Sequence, residues 1–347
     1  MKAIMKKSAA PGLVMGEIDK PVLQKGEVII KVAATGICGS DIHIYDWTSG
    51  YEWLEPYFPA VLGHEFSGIV VETGEGVADS WIGKKVVCMP GKTCLVCPAC
   101  SRGQHNLCSS RRTIGLHSPG SFTDYVAVPV INCMVLPENV DLEIAALSEP
   151  LAVAANAVEL AGIEVGETVV VLGPGTIGLM LAFLAKKAGA ARVILTGVAA
   201  DEARLTIGKK IGADMIVRVD ENDLTPIVME ATGGSGADHV FEASGNGRAL
   251  IQGIGVLKSG GDIVLVGIHG APVSLDINAL VRKEKRLLGA YGSSPKTWQR
   301  VIRILAESGN QLRPLITHRF PLEEGLAGFK ASKEPGAVKV IIKSSEG

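Results

Sequence analysis

Along the first 137 residues the apolar positions fall in short, alternating, β-branched runs. EVIIKVAAT (27–35) and SGIVVET (67–73) are bounded by Gly or Pro. WIGKKVVCMPG (81–91) reads as a strand entering a turn, and SFTDYVAVPVINCMVLP (121–137) is a further alternating region. This pattern predicts a strand-rich domain with loops at Gly and Pro. At Leu142 the character changes. As far as Leu160 the chain is rich in Ala, Leu, Glu and Val and reads as helix, with a hinge at Ser148-Glu149-Pro150. From Glu167 strands and helices alternate, with strands at 168–173, 191–197, 215–219, 237–244 and 262–268. The helices between them run to Lys187, to Ile211, over 223–232 and to Lys258. That rhythm predicts a parallel, doubly wound sheet, an α/β fold. The end of the chain offers an amphipathic helix (296–308), a LITHRFPLEEG turn (315–325), a short helix to Lys333 and a last strand, AVKVIIK (337–343). Strand-rich character returns there, so this tail is expected to pack back across both domains.

Composition narrows the class. A chain of 347 residues predicts two domains at about 150 residues each. Apolar residues make up 47% and charged residues 20%, enough for well-filled cores, and the 42 glycines predict many tight turns or close backbone approaches. Net charge is −2 and the longest basic run is Arg111-Arg112, which argues against nucleic acid or an anionic membrane surface as a partner. The N-terminus lacks the apolar stretch of a signal peptide. The longest apolar run, Val169 to Ala185, is interrupted by GPGTIG and falls short of a membrane span. A cytoplasmic protein is expected. Seven cysteines, four of them crowded between Cys94 and Cys108, point in a reducing compartment to metal and not to disulfides.

The most specific motif is Cys94-Leu-Val-Cys97-Pro-Ala-Cys100 followed by Cys108. Two-residue gaps let successive thiolates fold round one ion, and a fourth Cys closes the tetrahedron. Four sulfurs leave no open position, so such a zinc holds a lobe together and its binding is coupled to folding; an iron–sulfur cluster is one alternative, and unligated thiols, which the spacing disfavours, are the other. His105 in the loop is a bystander and Cys88 a core thiol. A second constellation spans Thr35 to Glu65. Cys38, His64 and Glu65 offer the thiolate, imidazole and carboxylate that Zn²⁺ prefers, and three protein ligands with an open fourth position make a catalytic site. Ser40 and His43 are placed to pass a proton from a hydroxyl at that site to water. Taken singly, each of these residues also reads as an ordinary buried Cys or His. Glu149 has two readings on local sequence: a helix N-terminal charge favoured by the dipole, or an acid lining the site that reaches the zinc directly or through water.

The first strand of the alternating half runs straight into Gly173-Pro-Gly175-Thr176-Ile177-Gly178 and then an apolar helix. A strand-to-helix junction is the context this glycine motif requires, where backbone meets a pyrophosphate at a helix N-terminus. The acid normally found about twenty positions on, which accepts the adenosine ribose hydroxyls, is replaced by Gly197; the next carboxylate is Asp201. Losing the acid favours NADP, yet the nearest base is Arg204, which also reads as an exposed helix charge. NAD and NADP both stay open. His318 is taken as structural.

These residues resemble the zinc-containing medium-chain alcohol dehydrogenases over almost the whole chain. The resemblance rests on ATGICGSDIHIY (34–45), PAVLGHEFSGIVVETGEGV (59–77), CLVCPACSRGQHNLC (94–108), SEPLAVAANAV (148–158) and GPGTIG (173–178). Within the family the chain is similar to L-threonine dehydrogenases, through CGSDIHIYDW (38–47), RTIGLHSPGSFTDYVAVP (112–129) and PLITHRFPLEEG (314–325). It is also similar to sorbitol and other polyol dehydrogenases, through MPG (89–91) and EPLAV (149–153). The resemblance implies a GroES-like β-rich catalytic domain (1–151), a Rossmann dinucleotide-binding domain (152–291) and a C-terminal segment (292–347) that rejoins the first. It implies one catalytic zinc on Cys38, His64 and Glu65 with Glu149 as a nearby fourth acid, and one structural zinc on Cys94, Cys97, Cys100 and Cys108. Asp41 would orient His64, Ser40 and His43 would relay the proton, and Val266-Gly267-Ile268 and Ala290-Tyr291 would border the nicotinamide of NAD or NADP. A homotetramer is implied.

The activity implied is hydride transfer between a secondary alcohol, a polyol in the main reading, and the nicotinamide. An L-threonine 3-dehydrogenase-like enzyme is the alternative and a non-catalytic dinucleotide-binding protein the further one. The chain departs from its relatives at Gly197, at Gly91, where threonine dehydrogenases carry a His, and at Gly292-Ser293, where sorbitol enzymes carry Arg-Tyr.

Overall fold

The strand Glu27–Gly36 is the longest in the chain, and two segments far apart in sequence are laid beside it. Its alternate residues Val28, Ile30 and Val32 are fully or almost fully buried with Phe66, Val70, Val86, Val126 and Val128 in one core. This is the burial that β-branched side chains at a period of two deliver. Glu65–Thr73 pairs antiparallel along it, bringing Glu65 opposite Gly36. On its other edge Lys339–Lys343 pairs antiparallel, with Ile341 opposite the same Gly36. The sheet continues outward through Lys85–Cys88 and Cys133–Val135 on one side and Ile316–Pro321 on the other, and Tyr125–Pro129 pairs with Glu27–Gly36 off this path. A second core, around Ile4, Ile44, Leu54, Leu62, Phe122, Phe329 and Ile342, packs beside it.

The computed structural model describes residues 1–344; residues 345–347, the end of the expected C-terminal segment, lie outside the described residues. The chain forms two compact units, Met1–Glu149 with the segment from Ser294 onward, and Pro150–Ser293. In the first unit several elements differ from the pattern. Gly39–Asp46 is a helix inside the stretch read as strand-rich, because its capping is local: Asp41 Oδ2 accepts the Cys38 N–H at 3.0 Å, satisfying a donor that the first turn cannot. Trp47, in the left-handed region at φ 54°, ends it. The stretch from Leu142 is two helices, Leu142–Ala145 and Ser148–Ala161, so Ser148-Glu149-Pro150 opens a helix and is not a hinge inside one. The LITHRFPLEEG turn contains a strand, Ile316–Pro321, parallel to Lys339–Lys343.

The second unit is a six-stranded parallel sheet. Its order is Met215–Arg218, Arg192–Gly197, Thr168–Leu172, Ala237–Glu242, Leu257–Leu265, Arg286–Gly289, which is the doubly wound order 3-2-1-4-5-6. Thr168–Leu172 is buried along its whole length, as a parallel strand covered on both faces must be. Two corrections apply. The helix expected to reach Lys258 ends at Val256, because Leu257 already pairs with Ala237, ahead of a bulge. The sixth strand, Arg286–Gly289, was not legible: it is a half-exposed edge strand in a charged stretch, without the apolar run that marked the others.

Candidate active site

The helix Gly39–Asp46 sets Cys38 at its N-terminal cap, and the turn before strand Glu65–Thr73 supplies His64 and Glu65. One donor atom from each of Cys38, His64 and Glu65 lies within 4.8 Å of the others, with His64 and Glu65 buried. Asp41 stands behind the imidazole. It is fully buried, and its Oδ1 lies 3.7 Å from His64 Nδ1, neither atom having another partner. Burial pushes the Asp41 carboxyl above its ordinary range, against His64 and the Cys38 N–H. Burial alone would discharge His64, yet the Asp41 carboxylate and the Cys38 sulfur hold it well above its ordinary value. Thiolate, imidazole and carboxylate donors converging beside a buried acid fit a divalent cation. A metal on one ring nitrogen would fix the N–H of the other toward the orphaned Asp41 oxygen.

One residue of this site was not readable from the sequence. Lys339, 2% exposed, places Nζ 2.6 Å from Glu65 Oε2 and also donates to Ile37 O at 2.9 Å. It arrives on the tail strand, 274 residues from its partner, and no local signal marks it. Burial would lower its pKa, but Glu65 and then Cys38 raise it, so the amine stays charged. Glu149 lies outside the three converging donors but acts on them. Burial raises its carboxyl, with His64 and Arg111 pulling it down and Glu65 pushing it up. His43 is exposed on the helix, its ring 5.9 Å from that of Tyr51 and Nδ1 3.2 Å from Thr48 Oγ1. Ser40 is half-buried one turn earlier.

The four sulfurs of Cys94, Cys97, Cys100 and Cys108 also lie within 4.8 Å of one another. Cys94 Sγ is 3.5 Å from Cys108 Sγ and 4.0 Å from Cys100 Sγ. A tetrahedron with sulfurs about 2.3 Å from a central zinc has edges of about 3.8 Å. The Cys97 N–H points at Cys94 Sγ and the Cys94 N–H at Cys108 Sγ, both at 3.4 Å. Such backbone donors, with the Cys100 amide first, hold the Cys97 thiol down at about 6. Burial pushes Cys100 up to about 12. Four sulfurs at these separations, met by backbone donors, fit a structural metal.

In the second unit Gly173 follows strand Thr168–Leu172 at φ 98°, and a Cβ there would strike Ser244. A Cβ at Gly178 would lie 1.9 Å from Gly173 O, so helix and strand touch through glycine alone. At Gly175, cap of helix Thr176–Ala188, a Cβ would meet nothing within 4 Å. Two tight glycines and one open one at a helix N-terminus form a cradle that a pyrophosphate fits. Arg204 lies in the helix after Gly197 with Nη1 3.4 Å from Asp201 Oδ1, and Asp201 accepts the Val198 N–H at 3.2 Å. Val266 and Gly267 both donate to Glu242 O at 2.9 Å, and Ala290 donates to Leu265 O at 2.9 Å. These sites, with exposed Ile268 and Tyr291, follow the carboxyl ends of the strands. Glu242 and His269 beside them were missed. Glu242 is fully buried and its Oε2 is 3.2 Å from His269 Nε2.

Comparison with known proteins decides the family. The alcohol dehydrogenase GroES-like domain matches residues 24–138 and the zinc-binding dehydrogenase domain residues 176–307. An L-threonine 3-dehydrogenase of Bacillus subtilis is 38% identical over 99% of this chain and 98% of its own. The chain belongs to the zinc-binding alcohol dehydrogenases. A D-arabitol-phosphate dehydrogenase of Enterococcus avium is 36% identical over 99% of this chain and 98% of its own. The solved structure of a zinc-binding dehydrogenase from Sinorhizobium meliloti, bound to NADP, matches at a TM-score of 0.90 and 31% identity, covering 99% and 98% of the two chains. The GroES-like and Rossmann-type architecture expected from the sequence is that of this family, and zinc and a nicotinamide dinucleotide are its cofactors. No helix among the described residues of this dehydrogenase is long and apolar enough to cross a membrane.

Proposed function

We propose that this dehydrogenase oxidises a secondary alcohol of a polyol or sugar alcohol, with the catalytic zinc on Cys38, His64 and Glu65 and the structural zinc on Cys94, Cys97, Cys100 and Cys108. The observation that carries the reading is the convergence of Cys38, His64 and Glu65, with the buried Asp41 carboxylate 3.7 Å behind the imidazole. When bound, the zinc supplies Lewis acidity that lowers the pKa of an alcohol, and the nicotinamide accepts the hydride.

The chain's own residues do the rest. Asp41 orients His64, and Lys339 donates to one oxygen of Glu65. The Ser40 hydroxyl takes the substrate proton and passes it to His43, whose exposed ring releases it to water. Glu149 adds negative charge beside the donors. Gly173, Gly175, Thr176, Ile177 and Gly178 cradle the pyrophosphate, Arg204 stands at the adenosine end, and Val266–Ile268 with Ala290 and Tyr291 border the nicotinamide. The polyol assignment is supported by the D-arabitol-phosphate relative and the threonine alternative by the Bacillus relative.

The protein is taken as cytoplasmic and homotetrameric. Exposed Ile277, Val281 and Tyr291 on either side of the edge strand Arg286–Gly289 support self-association, which analytical ultracentrifugation tests.

The test of the activity is an oxidation panel of sorbitol, xylitol, secondary diols and L-threonine with NAD and with NADP. It is run on zinc-loaded protein and on Cys38→Ala. Polyol turnover that vanishes in Cys38→Ala supports the reading, and threonine as the best substrate favours the alternative. No turnover with two zincs bound per chain favours a non-catalytic dinucleotide-binding protein.

A further inference from the structure

The ribbon flanking the four-cysteine lobe gathers three cations in a small space. Gly91–Lys92 and Arg112–Thr113 pair antiparallel, with Gly91 opposite Thr113 and Lys92 opposite Arg112. Like charges set directly opposite on a sheet are destabilising, and among the described residues neither Lys92 nor Arg112 forms an ion pair with a carboxylate. Arg112 instead leans on Tyr57, its guanidinium 5.6 Å from the ring centroid and Nη2 3.4 Å from the hydroxyl. Arg111 turns toward Gly91, where a Cβ would lie 2.8 Å from Nε and 3.6 Å from Cζ and Nη2. The missing side chain at Gly91 is therefore what makes room for the Arg111 guanidinium.

These cations belong to the same unit as the three converging donors. Burial raises the Glu149 carboxyl, and Arg111 is among the charges that act on it, after His64 and Glu65. Burial, then Arg112, then Arg111 hold His117 below its ordinary value. A file of rings continues from there. His117 stacks on Trp53 at 4.8 Å and meets the edge of Tyr57 at 5.2 Å; Trp53 is 6.5 Å from Tyr51, and Tyr51 5.9 Å from His43. The file thus runs from the residue assigned to proton release to the arginine pair. It offers ring faces for a carbon chain at one end and planar guanidinium forks for an oxyanion at the other.

We propose that the alcohol substrate carries an oxyanion, a phosphate ester or a carboxylate, held by Arg111 and Arg112 with Lys92 adding positive charge, and that Gly91 is the position that admits this class. The inference rests on the dehydrogenase reading above and names its substrate class.

The test uses the full zinc-loaded chain with sorbitol, sorbitol 6-phosphate, gluconate and L-threonine, reading kcat/KM for each. An anionic substrate leads, and the leader tells phosphate from carboxylate. In Arg111→Ala the preference for it over neutral sorbitol falls about 10- to 100-fold, the span of charge-assisted hydrogen bonds. Arg111→Lys restores part of that preference, which a merely structural role would not do. Neutral sorbitol as the best substrate, with a preference that Arg111→Ala leaves as it was, overturns the proposal while the dehydrogenase reading stands. If no alcohol turns over, that reading fails, and calorimetric titration with inorganic phosphate decides the anion site alone. Binding that is lost in Arg111→Ala sustains it, and absence of binding to the wild type overturns it.

Discussion

Lys339 Nζ lies 2.6 Å from Glu65 Oε2, with both side chains almost wholly removed from water. The contact joins a strand near the end of the chain to one near its beginning, through their shared neighbour Glu27–Gly36. A carboxylate buried this far needs a counter-charge, and Lys339 supplies it.

Removing one partner of a buried pair leaves an uncompensated charge, at a cost of about 3–5 kcal/mol. Lys339→Met is therefore expected to lower the urea midpoint of zinc-depleted protein strongly. The deficit should narrow on zinc loading, because the ion then neutralises Glu65. Equal midpoints for Lys339→Met and wild type without zinc would show that the pair contributes nothing.

Zinc content separates the two sets of donors. Cys38→Ala is expected to hold one zinc per chain and to lose most activity with its fold intact. Cys108→Ala is expected to lose the other zinc and to become sensitive to proteolysis within 94–108, because metal binding and folding of that lobe are coupled. Atomic absorption and limited digestion check both.

Replacing His43 by Ala is expected to lower kcat by about 10²-fold or more, the lower end of what a positioned proton carrier contributes. Added imidazole should restore part of it, since His43 is exposed. A rate insensitive both to the substitution and to imidazole would remove His43 from the proton path.

Gly197→Asp restores a carboxylate at the end of its strand. The space is tight, with Leu205 and Pro174 each 3.0 Å and Asp201 3.3 Å from a Cβ there. NADP is expected to lose at least about 10-fold in kcat/KM relative to NAD, through repulsion of the 2′-phosphate. An unchanged ratio of the two cofactors would show that Gly197 does not face the ribose.

Glu143 ties the tail to the N-terminal part of the first unit, 2.8 Å from Arg319 Nη2 and 2.7 Å from Lys343 Nζ. Burial would raise its carboxyl, but Arg319 and Lys343 together hold it below its ordinary value. A depressed folded pKa stabilises above the unfolded value of about 4.3 and is lost as pH falls through the folded one. Glu143→Gln is thus expected to cost about 1 kcal/mol at pH 7, with the difference from wild type closing below about pH 4. Thermal melts across that range check the sign.

What the sequence determined by itself is the chemistry that lies in short, contiguous stretches. The four cysteines sit within one loop, Cys38 to Glu65 within one excursion between neighbouring strands, and the glycines at one strand-to-helix turn. Side-chain type and spacing are enough there, because chain connectivity already brings the groups close. Alternation of apolar residues likewise marked the buried strands, but not Arg286–Gly289, whose exposed edge lets polar residues in.

The tertiary structure alone decided what depends on residues distant along the chain. Lys339 reaches Glu65 only because a strand from the tail is inserted beside Glu27–Gly36. The Arg111 guanidinium lies against the bare backbone of Gly91, twenty residues away, through the pairing of Gly91–Lys92 with Arg112–Thr113. The helix Gly39–Asp46, which points Asp41 at His64, rests on one side-chain-to-backbone bond that composition does not reveal. Burial and charge pairing are properties of the assembled fold. A lysine or arginine in the sequence carries no sign of whether water or a carboxylate will surround it.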